Sequence, residues 1–131
     1  MQKVMVVMPT YNEKENLPKI ASALFNLGIE GFEMLVVDDN SPDGTGQLAD
    51  KLSEQYDNLL HVLHRTEKAG LGPAYIAGFK RAIALGADVI IQMDADFSHQ
   101  PKYINNLLEE IKIHDLVLGS RFVKGGSVDE K

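Results

Sequence analysis

The chain has 131 residues, 44% of them hydrophobic and 24% charged, and this suits one globular domain with a real core. A net charge of −6 leaves no basic stripe to neutralise phosphates, which argues against nucleic-acid binding, and the absence of cysteine excludes disulfides and a thiolate metal site. No apolar run reaches the length of a membrane span or a secretory signal, so the expected location is cytoplasmic.

Strand and helix patterns alternate from the first residues. Residues 4–8 read as a short apolar strand stopped by Pro9. Over residues 15–27, Leu17, Ile20, Ala21, Leu24 and Phe25 recur at helical spacing, and Gly28 supplies a stop. Residues 32–37 form a second buried strand that ends at Asp38-Asp39. Residues 43–55 read as a helix with Leu48, Ala49 and Leu52 on one face, and residues 59–63 as a third strand. A helix over 71–85 carries Ala74, Ala77, Gly78, Ala82 and Leu85, small or apolar residues that suit close packing. Residues 89–93 form a fourth strand. A helix over 101–112 has Pro101 in its first turn, and residues 116–118 form a fifth strand. Residues 124–131 are polar and glycine-containing and read as a disordered tail. The expected fold class is α/β, a mostly parallel sheet sandwiched by helices through right-handed βαβ units.

In such sheets ligands bind outside the carboxyl ends of the strands. Those ends carry acids. Asp94-Ala95-Asp96 follows the fourth strand, and residues two apart in an extended segment project to one side. Two converging carboxylates repel unless a cation lies between them, and a hard divalent cation such as Mg2+ or Mn2+ suits oxygen ligands. A solvated turn is the plainer reading of the same tripeptide. After the second strand, Asp38-Asp39-Asn40-Ser41-Pro42-Asp43-Gly44-Thr45 is rich in turn formers, and Ser41 or Asp43 can cap the next helix. Capping does not account for two consecutive acids, and Asp39 can accept hydrogen bonds from nucleobase N–H groups. After the first strand, Tyr11 and Glu13 suit a nucleoside pocket, or simple packing and a helix-dipole acid. The glycine-rich run Lys68-Ala69-Gly70-Leu71-Gly72-Pro73-Ala74 matches neither a phosphate loop nor the dinucleotide pattern. It puts Arg65 or Lys68 near the ligand, or serves only as a flexible lead into the helix. Arg121, after the fifth strand, is the candidate anion clamp. His99 can approach the cation; His61, His64 and His114 lack ligand spacing.

Five blocks run in order over nearly the whole chain: Pro9-Thr10-Tyr11-Asn12-Glu13-Lys14-Glu15-Asn16-Leu17; Val37 through Thr45; Gly70-Leu71-Gly72-Pro73-Ala74-Tyr75; Met93-Asp94-Ala95-Asp96-Phe97-Ser98-His99-Gln100-Pro101; and Gly119-Ser120-Arg121-Phe122. Together they resemble the family-2 glycosyltransferases of the GT-A fold, and among them the synthases of dolichyl- or polyprenyl-phosphate mannose. The resemblance implies that Pro9, Tyr11, Glu13, Val37 and Asp39 hold the guanosine of GDP-mannose. It implies that Asp94 and Asp96 bind Mg2+ or Mn2+ on the diphosphate, with Ala95 touching the nucleotide through its backbone. Ser98 stands where some relatives carry a Gln ligand, and its hydroxyl is the shorter, weaker donor. Arg121 would contact phosphate, so Asp96 and Arg121 are the implied catalytic residues. The implied reaction is inverting transfer of mannose to a dolichyl or polyprenyl phosphate at a membrane surface, with no nucleic acid involved.

Members of this family continue well past the Gly-Ser-Arg strand. Residues 1–131 are therefore expected to form the nucleotide-sugar-binding part, with the acceptor part absent and an exposed sheet edge that favours self-association. Other readings stay open at this point: a non-catalytic nucleotide-sugar module, a transferase that uses a UDP-sugar, and a phosphoryl-transfer domain with carboxylate-bound Mg2+. In the dehalogenase-like form of the last, an Asp-X-Asp pair follows the first strand, whereas here it follows the fourth.

Overall fold

The computed structural model describes residues 2–66, 71–95 and 122–124. They form strand β1 (Val4–Thr10), helix α1 (Leu17–Phe25), β2 (Phe32–Asp38), α2 (Thr45–Gln55), β3 (Leu60–His64), α3 (Leu71–Ala84), β4 (Val89–Gln92) and β5 (Phe122–Lys124). The sheet order is β3-β2-β1-β4-β5. The first four strands are parallel, and β5 pairs antiparallel with β4. The expected helix over 101–112 and strand over 116–118 lie outside the described residues. The antiparallel strand at Phe122–Lys124 was not expected; three residues leading into a polar tail carry too little pattern to announce it.

Alternation along the strands divides the interior in two. Val4, Val6 and Met8 of β1, with Met34 and Val36 of β2, pack against Leu17, Ile20, Ala21 and Leu24 of α1 and Ala49 and Leu52 of α2. Met5 and Val7, with Leu35, Val37 and Ile90, pack on the other side against Ala74, Tyr75, Phe79 and Ala82 of α3. Each fully buried side chain of this size contributes roughly 1.5–3 kcal/mol, so both helical layers are needed to hold the sheet. Phe25 stacks on Tyr56 with ring centroids 4.2 Å apart and meets Phe32 edge-on at 5.1 Å, closing the α1–α2 side.

Two glycines act where their type is required. Gly28, with φ of +70°, turns the chain just past α1, as the sequence suggests. Gly78 lets α3 lie directly on the sheet. A Cβ there would come within 2.5 Å of Val7 Cγ1 and 3.0 Å of Val37 Cγ2.

Pro9 does not stop β1, which continues to Thr10. The hydrogen bonds explain this. Residue 4 donates toward β2 and Thr10 accepts from Asp39, so even-numbered residues of β1 face β2. Lys3 and Val7 accept from Asp88, Val89 and Met93, so odd-numbered residues face β4. The β1–β4 register ends at Val7–Gln92, one rung before Pro9. Proline's missing N–H therefore falls where no ladder bond is lost.

Candidate functional site

The chain runs from β1 outward to β2 and β3, then returns to place β4 on the other side of β1. This reversal opens a crevice at the carboxyl ends of β1 and β4, the place where parallel sheets bind ligands. Two groups of acids flank it.

The first group lies where the β1–α1 and β2–α2 loops meet. Asp38, only 2% exposed, accepts from Thr10 Oγ1 (2.7 Å) and Ser41 Oγ (2.6 Å) on Oδ1 and from the Ser41 N–H (3.0 Å) on Oδ2. The three successive N–H groups of residues 12, 13 and 14 donate to Ser41 Oγ, Thr45 Oγ1 and Asp43 Oδ2 at 3.0, 3.0 and 3.2 Å. Left-handed backbone at Asn12 (φ +60°) and Asn40 (φ +57°) turns both loops to make this possible, a conformation asparagine tolerates better than most residues. Asp43, not Ser41, serves the start of α2. Its Oδ1 accepts from the Thr45 N–H at 2.9 Å, and also from the Thr45 hydroxyl. Burial pushes the Asp43 carboxyl up. The Thr45 hydroxyl, the N–H groups of Thr45 and Lys14, and the Lys14 charge outweigh that and hold it below the usual 3.8.

Asp39 differs from its neighbour. It is 5% exposed and forms an ion pair with Arg65, Nη1 to Oδ1, at 3.2 Å. Arg65 is placed by its own N–H, which donates to the Asp38 carbonyl at 2.8 Å, and Asn40 Nδ2 donates to the Thr66 carbonyl at 3.1 Å. Glu13, in the β1–α1 loop, accepts at Oε1 from Asn16 Nδ2 at 3.2 Å. Tyr11, at 38% exposed, offers part of its side chain to solvent.

The second group lies past β4. The Met93 N–H still bonds to the Val7 carbonyl at 3.1 Å, after which the chain leaves the sheet. Asp94 is partly exposed, and Ala95 is buried. The Tyr75 hydroxyl, carried on α3, donates to Asp94 Oδ1 at 2.7 Å. An ionised carboxylate held this way is a hard oxygen donor at the rim of the crevice, which fits Mg2+ or Mn2+. Among the described residues no cluster of three or more His, Asp or Glu is assembled for a cation.

The sequence-predicted residues therefore divide. Pro9, Tyr11, Glu13, Asp39, Asp94 and Ala95 lie at the carboxyl ends of β1, β2 and β4, on the same edge of the sheet. The Val37 side chain is wholly buried under α3, so any ligand contact would fall to its backbone. Asp96, Ser98, Arg121, Lys68, His99 and His114 lie outside the described residues. His61 pairs with Glu33 at 2.7 Å and His64 with Asp50 at 3.0 Å, both in roles local to the sheet and α2. Arg65 was placed near the ligand from sequence, but its pairing with Asp39 was not foreseen. The bond from Tyr75 to Asp94 was not foreseen from the sequence. Its signal was a phenol on the buried face of α3, where the hydroxyl needs a polar partner. A cleft of about 420 Å3 beside the start of α2 is lined by Lys14, Asp43, Gln47 and Lys51 among others, and neither Asp39 nor Asp94 contributes to it.

The profile of Glycosyl transferase family 2 matches residues 5–131. This chain belongs to that family. Its relatives in glycosyl transferase family 2 include the undecaprenyl-phosphate mannosyltransferase of Micrococcus luteus, 51% identical over 96% of this chain and 51% of that protein. The polyprenol monophosphomannose synthase of Mycolicibacterium smegmatis is 48% identical over 97% of this chain and 48% of its own length. The dolichol-phosphate mannosyltransferase of Pyrococcus furiosus is 46% identical over 97% and 35%. The chain thus spans about half the length, or less, of the relatives it matches. Among solved structures, residues 1–349 of TarS of S. aureus align with a TM-score of 0.72 at 24% identity over 87% of this chain and 33% of that fragment. The mannosyltransferase PcManGT of Pyrobaculum calidifontis, solved with GDP-Man and Mn2+, aligns with a TM-score of 0.62 at 23% identity over 80% and 31%. At these identities the likeness is one of fold, the GT-A architecture of this family.

Proposed function

We propose that this chain carries the donor side of a metal-dependent mannosyltransferase that moves mannose from GDP-mannose to a polyprenyl or dolichyl phosphate. The observation that carries this reading is the identity of 46–51% to three proteins named for mannose transfer to, or synthesis on, such lipids. The acids at the ends of β2 and β4 supply the chemistry. Asp39 and Glu13 would accept hydrogen bonds from the N1–H and N2–H2 of guanine. Arg65 already neutralises Asp39, so the base meets a compensated acid rather than a bare anion. Pro9 and Tyr11 would cover the nucleoside. Asp94 and Asp96 would hold Mg2+ or Mn2+, with Ser98 as a further oxygen, and Arg121 would neutralise phosphate. A bound divalent cation supplies Lewis-acid stabilisation of the charge on the departing diphosphate.

In the transfer, the bond between the sugar anomeric carbon and the GDP phosphate oxygen breaks. A lipid phosphate oxygen bonds to the opposite face of that carbon, and the configuration inverts. The nucleophile is already anionic, so no general base is assigned. The work belongs at a membrane face, where the acceptor resides; among the described residues no helix is long and apolar enough to cross a membrane.

Calorimetry of nucleoside diphosphates tests the donor reading. Losing one charged hydrogen bond costs about 1.5–3 kcal/mol, so GDP should bind at least about tenfold tighter than UDP. Mn2+ should raise the melting shift that GDP produces, and Asp96→Asn should remove the metal-dependent part. Equal or reversed affinities would point instead to a UDP-sugar. Following radiolabelled mannose from GDP-mannose into a polyprenyl phosphate tests the reaction itself.

A further inference from the structure

The carboxylate at the end of β4 has a support that comes from another layer of the protein. Asp94 lies two residues beyond the last strand residue, Gln92, at the point where the sheet no longer fixes the backbone. A side chain there needs an outside contact to hold one rotamer. Tyr75 provides one, its hydroxyl 2.7 Å from Asp94 Oδ1. The direction of this bond is set by chemistry: a phenol is protonated at neutral pH and an ionised carboxylate only accepts. The phenol is itself fixed. Tyr75 is 6% exposed, its ring stacks on Phe79 with centroids 5.9 Å apart, and it lies one helical turn from Gly78. Gly78 is where α3 seats against Val7 and Val37. The seat of α3 on the sheet therefore sets the height of the Tyr75 hydroxyl, and the hydroxyl sets the aim of Asp94.

We propose that Tyr75 is a positioning residue for cation binding at Asp94, an inference that rests on the donor-site reading above. Ligating carboxylates are themselves hydrogen-bonded, and loss of such an outer partner weakens metal affinity about 10–100-fold. Tyr75 touches neither sugar nor nucleotide in this scheme; it acts through Asp94.

The test uses the full chain with Tyr75→Phe, which keeps the ring and its stacking on Phe79 and removes only the hydroxyl. Mn2+ affinity is read by electron paramagnetic resonance titration in saturating GDP, and GDP affinity by calorimetry in chelator. The expected result is Mn2+ binding weakened about tenfold or more, with metal-free GDP affinity within twofold of the parent. A structural role alone would shift both together. The double variant Tyr75→Phe/Asp94→Asn should bind Mn2+ no more weakly than Asp94→Asn, because the proposed effect runs through that carboxylate. Unchanged Mn2+ affinity in Tyr75→Phe, beside a parent that binds Mn2+, overturns the positioning role and leaves the donor site standing. Failure of the parent to bind Mn2+ with GDP overturns both.

Discussion

The two acidic corners of the sheet edge are built differently. Where β1 meets β2, loop is tied to loop: Asp38 collects three hydrogen bonds, and the N–H groups of residues 12–14 end on side chains of the β2–α2 loop and of Thr45, the first residue of α2. At the end of β4, Asp94 is reached from across the molecule, by a phenol on α3, and keeps partial exposure. Both corners place carboxylates at strand ends, yet in the first the buried acid is consumed by architecture. An acid that already satisfies three donors has little to offer a ligand. Asp94 takes a well-aimed hydroxyl from a neighbouring layer and still meets solvent. Position at a strand end is therefore a poor guide to function until the partners are known.

The largest expected effect breaks the first corner. Asp38→Ala removes the acceptor of the buried Thr10 hydroxyl and the half-buried Ser41 hydroxyl and should cost on the order of 3–5 kcal/mol in denaturant melts. A loss below about 1 kcal/mol would mean the loops are held together by something else. A smaller effect probes the second corner from behind. Gly78→Ala gains about 1 kcal/mol of helix propensity but forces a methyl against Val7, and overpacking costs typically 1–3 kcal/mol. The net should be destabilising by up to about 2 kcal/mol, with a weakened Mn2+ effect on GDP binding because α3 carries Tyr75. A stabilised Gly78→Ala protein would show that α3 is free to lift. The smallest effect is one of pH. The Asp43 carboxyl sits below its usual 3.8 in the folded chain, so it binds protons less readily there than in the unfolded chain. Its contribution is complete above the unfolded value and is lost as pH falls through the lower folded value. Asp43→Asn should flatten the acid limb of stability below about pH 4 and leave the neutral region nearly parallel to the parent. An unchanged acid limb would assign that limb to other carboxylates.

Much of this was legible in the sequence. The period-two and period-3.6 patterns place the first four strands and three helices within a few residues of the observed bounds, because each element buries one face against a single sheet. The acids at the ends of β2 and β4 were legible for the same reason: polar residues directly after an apolar run have to sit at the rim. The division of labour between Asp38 and Asp39 was not. Adjacent residues of one type become distinct only when strand alternation turns one toward Thr10 and Ser41 and the other toward Arg65. Tyr75 was hidden because its partner is 19 residues away and on another element. Pro9 was misread as a strand breaker because the rule for proline depends on which neighbour a given N–H faces, and that is fixed by register, not by composition.

The register at Pro9 has a consequence for how the crevice stays open. In the parallel pairing of β1 and β4, Val7 sits opposite Gln92 and its carbonyl receives the Met93 N–H. The next rung would run from the nitrogen of residue 9 to the Met93 carbonyl. Proline has no hydrogen to give, so the zipper lacks a tooth at that rung. The absence of that one donor is thus written into covalent structure and does not depend on a side chain wedged between the strands. A ligand arriving at the reversal of strand order meets no hydrogen bond donated by residue 9 at that rung.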